Sequence, residues 1–306
     1  MPRYSDKSNF SSLNDIEHAL HMYATSYCTI PAESIYDSKL LSRFESVIKK
    51  CHIYIIGFTP IIELIYAELK PKKLILVHSI LGENYQIEID VPEGFNHLKK
   101  DDYYYMENEC GEQIWPDETY IQKQLSLSTN AVTFEVKYIG QAFGKEGERN
   151  ALDRLIKHET LQKIALKGAP QGYKLTLLML EVLPANRIFT FMNPTAKNKD
   201  SDSSRINAGL DMLYGTTEQQ RISLYEAALI RYFYPEYNTE YKDSFPSTNL
   251  KILQTCYEKD FAGIVAEICF DELPFNMFSE TISISNYHIA KHHLHNEKER
   301  KIFFGV

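Results

Sequence analysis

The sequence predicts an α+β chain with a small central sheet, and three observations lead there. Runs rich in β-branched and aromatic residues, HIYIIGF (52–58), VTFEVKYIG (132–140) and YKLTLLMLEV (173–182), read as strands. Segments with apolar residues at helical spacing, 150–166 and 217–233, stand after two of them. Turn and breaker residues fall between, with Gly144 and Gly147 ahead of the first helix and Pro235 after the second. The expected organisation is an α+β region over 1–115, a central module over 116–245 with a three-stranded sheet and flanking helices, and a β-rich extension over 246–306.

Each element has a local reason. Residues 1–12 are polar and are expected to fray. Helical patterns are expected near Asp15–Tyr23 and Ser38–Lys50, followed by the HIYIIGF strand, which ends at Thr59-Pro60. Ile61–Leu69 reads as a helix stopped by Pro71, and 74–81 and 85–91 as strands around Gly82-Glu83-Asn84. QLSLS (124–128) is expected to pair with 132–140 through a turn at Thr129-Asn130. Asn150 caps a helix reaching Leu166, with Leu152, Leu155, Ile156 and Ile164 inward. Residues 193–207 are a polar, low-complexity loop. Thr217 and Gln220 form a capping-box pair ahead of Ile222, Tyr225, Leu229 and Phe233. GIVAEICF (263–270) and TISISNYHIA (281–290) are strand-like, and a charged tail follows.

Bulk composition narrows the function classes. With 44% hydrophobic and 24% charged residues the composition is that of a folded soluble chain. The net charge of -8 argues mildly against nucleic-acid binding through bulk charge alone. Charge is uneven, however: 137–167 holds seven basic and four acidic residues, so a locally basic site sits on an acidic body. The five cysteines are scattered, with no CxxC pair, which fits a reducing, cytoplasmic compartment better than a disulfide framework. MPRYSDKSNF lacks the apolar core of a secretory signal. The most apolar stretch, Ile53 to Tyr66, is too short and broken to span a bilayer, so no membrane partner is expected.

The residues that suggest chemistry lie in the central module. Tyr138-Ile139-Gly140 closes a strand, Arg154 and His158 stand four apart on the expected helix, and EAALIRYFYPEYN runs from Glu226 to Asn238. An arginine fork suits a phosphate, a carboxylate suits a hard divalent cation, and a phenol or imidazole can carry a proton. This ordered set resembles the GIY-YIG nuclease family in its YIG half-motif, its R-x3-H spacing and its E-x-x-L-I…P-x-Y-N segment. The resemblance covers about 120–245.

The resemblance implies a GIY-YIG-like sheet and a metal-dependent endonuclease acting on nucleic acid, double-stranded DNA by preference, in a restriction or antiphage-defence role. Tyr138, Arg154, His158, Glu226 and Asn238 would be the catalytic set, Glu226 would hold Mg2+ or Mn2+, and Lys145, Arg149 and Lys157 would contact nucleic acid. The chain departs from the family pattern in its first half-motif. Family spacing puts that tyrosine near Leu127, where none stands, and Tyr120 is the nearest upstream candidate. The interval from YIG to arginine is also long, so Arg149 competes with Arg154. The alternative is a module of the same kind that binds nucleic acid or protein without cutting, and the flanking regions are open to a protein partner or a second copy.

Two further clusters carry weaker signals. His288, His292, His293 and His295 read as a solvated tail, or as metal ligands if His288 and His292 share a helix turn. Asp101-Asp102-Tyr103-Tyr104-Tyr105 reads as a surface strand or loop whose rings could stack on bases, although two carboxylates disfavour phosphate nearby.

Overall fold

The computed structural model describes residues 16–100, 103–143, 150–183, 187–192, 204–246 and 250–295. The elements, in chain order, are β1 (Ile16–Pro31), α1 (Ser38–Arg43), α2 (Glu45–Ile48), β2 (Ile53–Pro60), β3 (Ile62–Lys70), β4 (Lys73–Ile80), β5 (Glu83–Asp90), β6 (Phe95–Lys100), β7 (Tyr103–Asn108) and β8 (Gln113–Ile114). There follow α3 (Glu118–Ser128), β9 (Thr133–Gln141), α4 (Ala151–Leu155), α5 (Glu159–Lys167), β10 (Tyr173–Val182), β11 (Arg187–Met192) and α6 (Ser204–Gly215). The chain continues through α7 (Glu218–Phe233), α8 (Lys251–Glu258), β12 (Gly263–Cys269), β13 (Asn276–Phe278) and β14 (Tyr287–His293). The protein is α+β, with several sheets.

The principal sheet has eight strands in the order β13-β9-β2-β10-β1-β12-β14, with β11 also paired to β1. It draws strands from before residue 115, from 116–245 and from beyond 245. β2 explains why the sheet forms here. Every residue of Ile53–Pro60 is buried, as expected of a strand covered on both faces. Ile53 and Ile55 point into the core that contains α7 and α8, with Phe134, Leu178, Leu180 and Leu229. Tyr54, Ile56 and Phe58 point the other way, into a core with Leu155, Ile164, Leu177 and Met179. β2 is antiparallel to β10 on one edge and to β9 on the other.

The connection from β2 to β9 carries two small sheets, β3-β4-β5 and β6-β7-β8, and then α3. Its ends meet in the main sheet, where Phe58 opposes Glu135.

Several expectations are corrected. Residues 16–31 form a long strand, because their backbone pairs with β10, β11 and β12; the apolar spacing had fitted a helix as well. Residues 62–70 are β3, paired along their length with β4. Residues 124–128 lie in α3, where Asp117 caps the Tyr120 amide at 2.8 Å. Leu125 is fully buried while Leu127 is 67% exposed, so their alternation reflects two helix faces. The helix expected over 150–166 breaks into α4 and α5, with His158 at the junction. The strand expected over 281–290 begins only at Tyr287, as β14. His288 and His292 belong to this strand and are not a solvated tail: His292 Nε2 meets the Ala228 carbonyl at 2.9 Å, and His288 Nε2 meets the Ser285 carbonyl at 2.9 Å. No group of three His, Cys, Asp or Glu residues suited to a metal occurs among the described residues, and none of their helices is long and apolar enough to cross a membrane. Asp101, Asp102 and most of the 193–207 loop lie outside the described residues.

Gly57 is a tight point in the main sheet. A Cβ there would sit 2.4 Å from both the Glu135 carbonyl oxygen and the Phe134 ring, beside the register shift between Ile56 and Gly57. Gly57→Ala is therefore expected to destabilise the fold by about 1–3 kcal/mol, the cost of overpacking a core. Urea unfolding checks this, and an unchanged midpoint would refute the crowding.

Candidate functional site

The site forms where β9 and β2 run side by side under α4 and α5. Tyr54 of β2 stands opposite Gly140 of β9, and Ile56 stands opposite Tyr138. A Cβ on Gly140 would meet the Tyr54 ring at 2.5 Å. Only glycine lets the Tyr54 phenol cross over β9 at this position. Its ring then stacks near that of Tyr138, with centroids 6.2 Å apart. The two hydroxyls are within hydrogen-bonding reach of each other, and Tyr54 is also within reach of Arg154.

Arg154 and His158 arrive by local signals. Asn150 and Asp153 form a reciprocal capping box at the start of α4, and the Ala151 amide donates to the Cys51 carbonyl at 2.7 Å. That bond fixes the start of α4 beside the entrance to β2, and Arg154 in its last turn is exposed. His158 does not share a continuous helix with Arg154, as had been expected. It is the N-cap of α5, its Nδ1 accepting from the Leu161 amide at 3.4 Å. Its buried ring packs against Tyr54 at 5.4 Å and Tyr138 at 5.1 Å.

Glu226 and Asn238 come from α7 and the turn after it. Tyr234 adopts a left-handed C-cap conformation, with φ of 51°, and Pro235 stops the helix there. The chain folds back onto β9: the Tyr237 amide donates to the Lys137 carbonyl at 3.1 Å. Asn238 then clamps Ile139. Its Oδ1 accepts from the Ile139 amide at 2.9 Å and its Nδ2 donates to the Ile139 carbonyl at 2.8 Å. A side-chain amide thus satisfies the edge of β9 that β13, paired only at 133–135, leaves uncovered. Asn238 holds the strand and not a reacting group.

The electrostatics are unusual for a surface cleft. Glu226 is buried, with no basic partner among the described residues. Burial pushes its carboxyl up to about 8, the Glu240 charge adds to this, and hydrogen bonds from Gln141 oppose it. Burial also raises the Tyr54 and Tyr138 hydroxyls, helped by the Glu226 charge and opposed by Arg154. Burial lowers His158, and Arg154 lowers it further. With Nδ1 accepting from Leu161, the neutral imidazole carries its proton on Nε2 and offers a donor there.

The structure thus gathers Tyr138, Arg154, His158, Glu226 and Asn238 around one region. It adds Tyr54, which the sequence reading missed by searching near Leu127 and Tyr120; Tyr120 lies on α3 and is 40% exposed. The overlooked signal was a tyrosine inside the apolar HIYIIGF run, at a strand position that a polar hydroxyl would otherwise avoid. Among the expected phosphate-contacting residues, Lys157 is exposed and lines a shallow cavity with Arg154. Lys145 and Arg149 lie outside the described residues. Elsewhere in the basic window, Lys137 pairs with Glu135 and Glu236, and Lys167 pairs with Glu236.

Asn238→Ala removes both bonds to Ile139 and leaves a buried amide and carbonyl unpaired. It should cost about 2–4 kcal/mol in urea unfolding, and Asn238→Asp should recover only part, because a carboxylate cannot donate to the carbonyl. Wild-type stability in Asn238→Ala would show that water replaces the clamp.

Comparison with protein-family models, with curated proteins and with solved structures finds no match to this chain.

Proposed function

We propose that the chain is a metal-dependent phosphodiesterase of the GIY-YIG kind, cutting nucleic acid, preferentially double-stranded DNA, with Tyr54 in the place of the first half-motif's tyrosine. One observation carries the reading: Tyr54 of His52-Ile53-Tyr54 lies across Gly140 of Tyr138-Ile139-Gly140 on the adjacent antiparallel strand. Two tyrosine half-motifs on neighbouring strands is the arrangement the resemblance calls for. The residues that the resemblance names as catalytic surround the pair.

Each group has a role that its environment supports. Tyr138 is the less buried phenol; its own proton passes first to bulk water, a loss that Arg154 favours, and the phenolate then takes the proton from the attacking water. Tyr54 is fully buried; it orients the Tyr138 hydroxyl and couples it to Arg154. Arg154, exposed at the end of α4, forks onto the phosphate and stabilises its growing charge. His158, with its proton on Nε2, donates a hydrogen bond and is a poor general base. Lys157 neutralises a neighbouring phosphate.

A divalent cation fits the carboxylate end of this site. The fit rests on Glu226 itself, a buried carboxyl with no basic partner, whose ionised form needs a positive charge beside it. Glu226, with Glu240 near enough to raise it further, would hold Mg2+ or Mn2+ with waters completing the shell, a habit of small hard cations. Such an ion supplies charge stabilisation for the phosphate and the leaving oxygen.

The test uses two readouts. Glu226 is raised in the folded chain, so the stability from its proton linkage is fully present below about pH 4.5 and is lost as pH rises through about 8. Without divalent cation, Glu226→Gln should therefore melt higher than wild type at pH 8.5 and match it near pH 4. Adding Mn2+ at pH 8.5 should raise the melting temperature of wild type only. Nicking of plasmid DNA should fall by at least about 100-fold in the variant. A Mn2+ shift that survives Glu226→Gln removes Glu226 from the metal site. A cation shift without nicking favours the binding-only module.

A second prediction separates the phenols. Tyr138→Phe should lose about 100-fold or more in cleavage rate, the usual worth of positioned proton transfer. Tyr54→Phe should lose less, and it should move the alkaline limb of the pH–rate profile, because the Arg154 contact is gone. Equal rates in wild type and Tyr138→Phe would sink the assignment.

A further inference from the structure

The connection between β2 and β9 encloses a cavity of about 900 Å3 between β3–β4, the β6–β8 sheet and the start of α3. Its volume is that of a pocket for a small organic ligand. Leu76 and Ile121 give it apolar wall, and Tyr66, Tyr104 and Trp115 give it rings.

Trp115 is built as a platform. One face of the indole stacks on Tyr105, with centroids 4.3 Å apart and planes 8° from parallel. Its Nε1 meets the Gln113 side-chain oxygen at 3.1 Å. Tyr105 does not line the cavity and Trp115 does, so the indole face away from Tyr105 is left to the cavity. A tryptophan held rigid, yet 43% exposed, is suited to stacking on a flat ring.

His78 supplies the polar contact. It sits on β4 in the cavity wall, only 3% exposed. Its Nδ1 is buried with no hydrogen-bond partner among the described residues. Buried polar groups are almost always partnered, so this nitrogen lacks the partner that a ligand in the cavity would supply. Burial lowers its pKa, so the neutral ring offers one donor and one acceptor.

The charges at the rim are sorted as well. Asp117 is committed to capping α3, and Glu118 is paired with Lys174. Lys99, with Nζ 5.3 Å from the Tyr104 ring centroid, has no carboxylate partner among the described residues. Among the described residues it is the rim cation left for an anionic group.

We propose that this cavity binds a nucleobase, stacked on Trp115 and hydrogen-bonded by His78, with Lys99 meeting the attached phosphate. The base could come from a free nucleotide or from an unpaired position in a strand, and the chemistry of the pocket is shared by both. The proposal is independent of the cleavage reading, because it concerns only binding at the connection between β2 and β9.

Trp115 is the chain's only tryptophan, so its fluorescence reports the pocket directly. The full chain is titrated in EDTA with each of the four nucleoside monophosphates, with the corresponding nucleosides, with a short single-stranded oligonucleotide, and with ribose 5-phosphate. Saturable quenching by a monophosphate, absent with ribose 5-phosphate, is expected. His78→Leu should weaken it by about tenfold, the worth of one good hydrogen bond. Lys99→Ala should weaken nucleotides more than the bare nucleoside. Quenching by the oligonucleotide alone keeps the nucleobase and identifies the strand as its source. Tyr66→Ser, at a ring 54% exposed, is a second variant that should also weaken binding if His78→Leu fails to fold. No saturable quenching by any base-bearing ligand, equal quenching by ribose 5-phosphate, or unchanged affinity in the folded variants would overturn the proposal.

Discussion

Burial of β2 on both faces and both edges is the constraint that the rest of the molecule follows. A strand in that position cannot shift by one residue without exchanging its two cores, because alternate side chains serve opposite faces. Its register against β9 is therefore fixed by Ile53, Ile55, Ile56 and Phe58, all of them buried. Tyr54 inherits that fixed register. Its phenol is carried to Gly140, where the missing Cβ leaves room for the ring. The Asn238 clamp on Ile139 closes the other edge of β9, so the strand bearing Tyr138 is held from both sides.

The same burial sets the electrostatic character of the cleft. Tyr54, Tyr138, His158 and Glu226 are all shifted toward their neutral forms by loss of water, with Arg154 the basic group that counters this at the phenols. With these four groups neutral, Arg154 is the charge they leave uncompensated, and Glu240 is the nearby carboxylate that opposes it. Ionising Glu226 is costly until a positive charge stands beside it. On the proposed reading, a phosphate would meet Arg154 and a cation would meet Glu226. The modest overall charge of the chain is no obstacle, because the relevant potential is set locally.

Much of this was legible in the sequence, and the failures have physical causes. β9, β10, α7 and the capping box at Thr217 were readable, since strong apolar patterns and caps are local. Tyr138, Arg154, His158, Glu226 and Asn238 were readable as an ordered set. β1, β3 and α3 were misread because short amphipathic segments fit both periods, and the decision rests with partners remote in sequence. β1 is a strand because β10, β11 and β12 pair with it, and they lie far along the chain. The break at His158 was hidden because both helices flanking it have good helical spacing, and an N-cap histidine is not among the usual capping residues.

Tyr54 is hidden in the sequence for a different reason. Paired strands are most often joined by a short turn, and Thr129-Asn130 offers one in the sequence. The actual partner strand precedes a long connection that folds into two small sheets and a helix of its own. Closing a longer connection costs little more than closing a short one, because the entropy penalty grows only logarithmically. The added chain offsets that penalty by burying Leu74, Leu76, Ile87 and Ile89. What the main sheet requires is only that the connection leave and return at adjacent strands, and Phe58 opposite Glu135 meets that requirement. On the proposed reading, pairing in the sheet, not distance along the chain, would identify the two half-motifs.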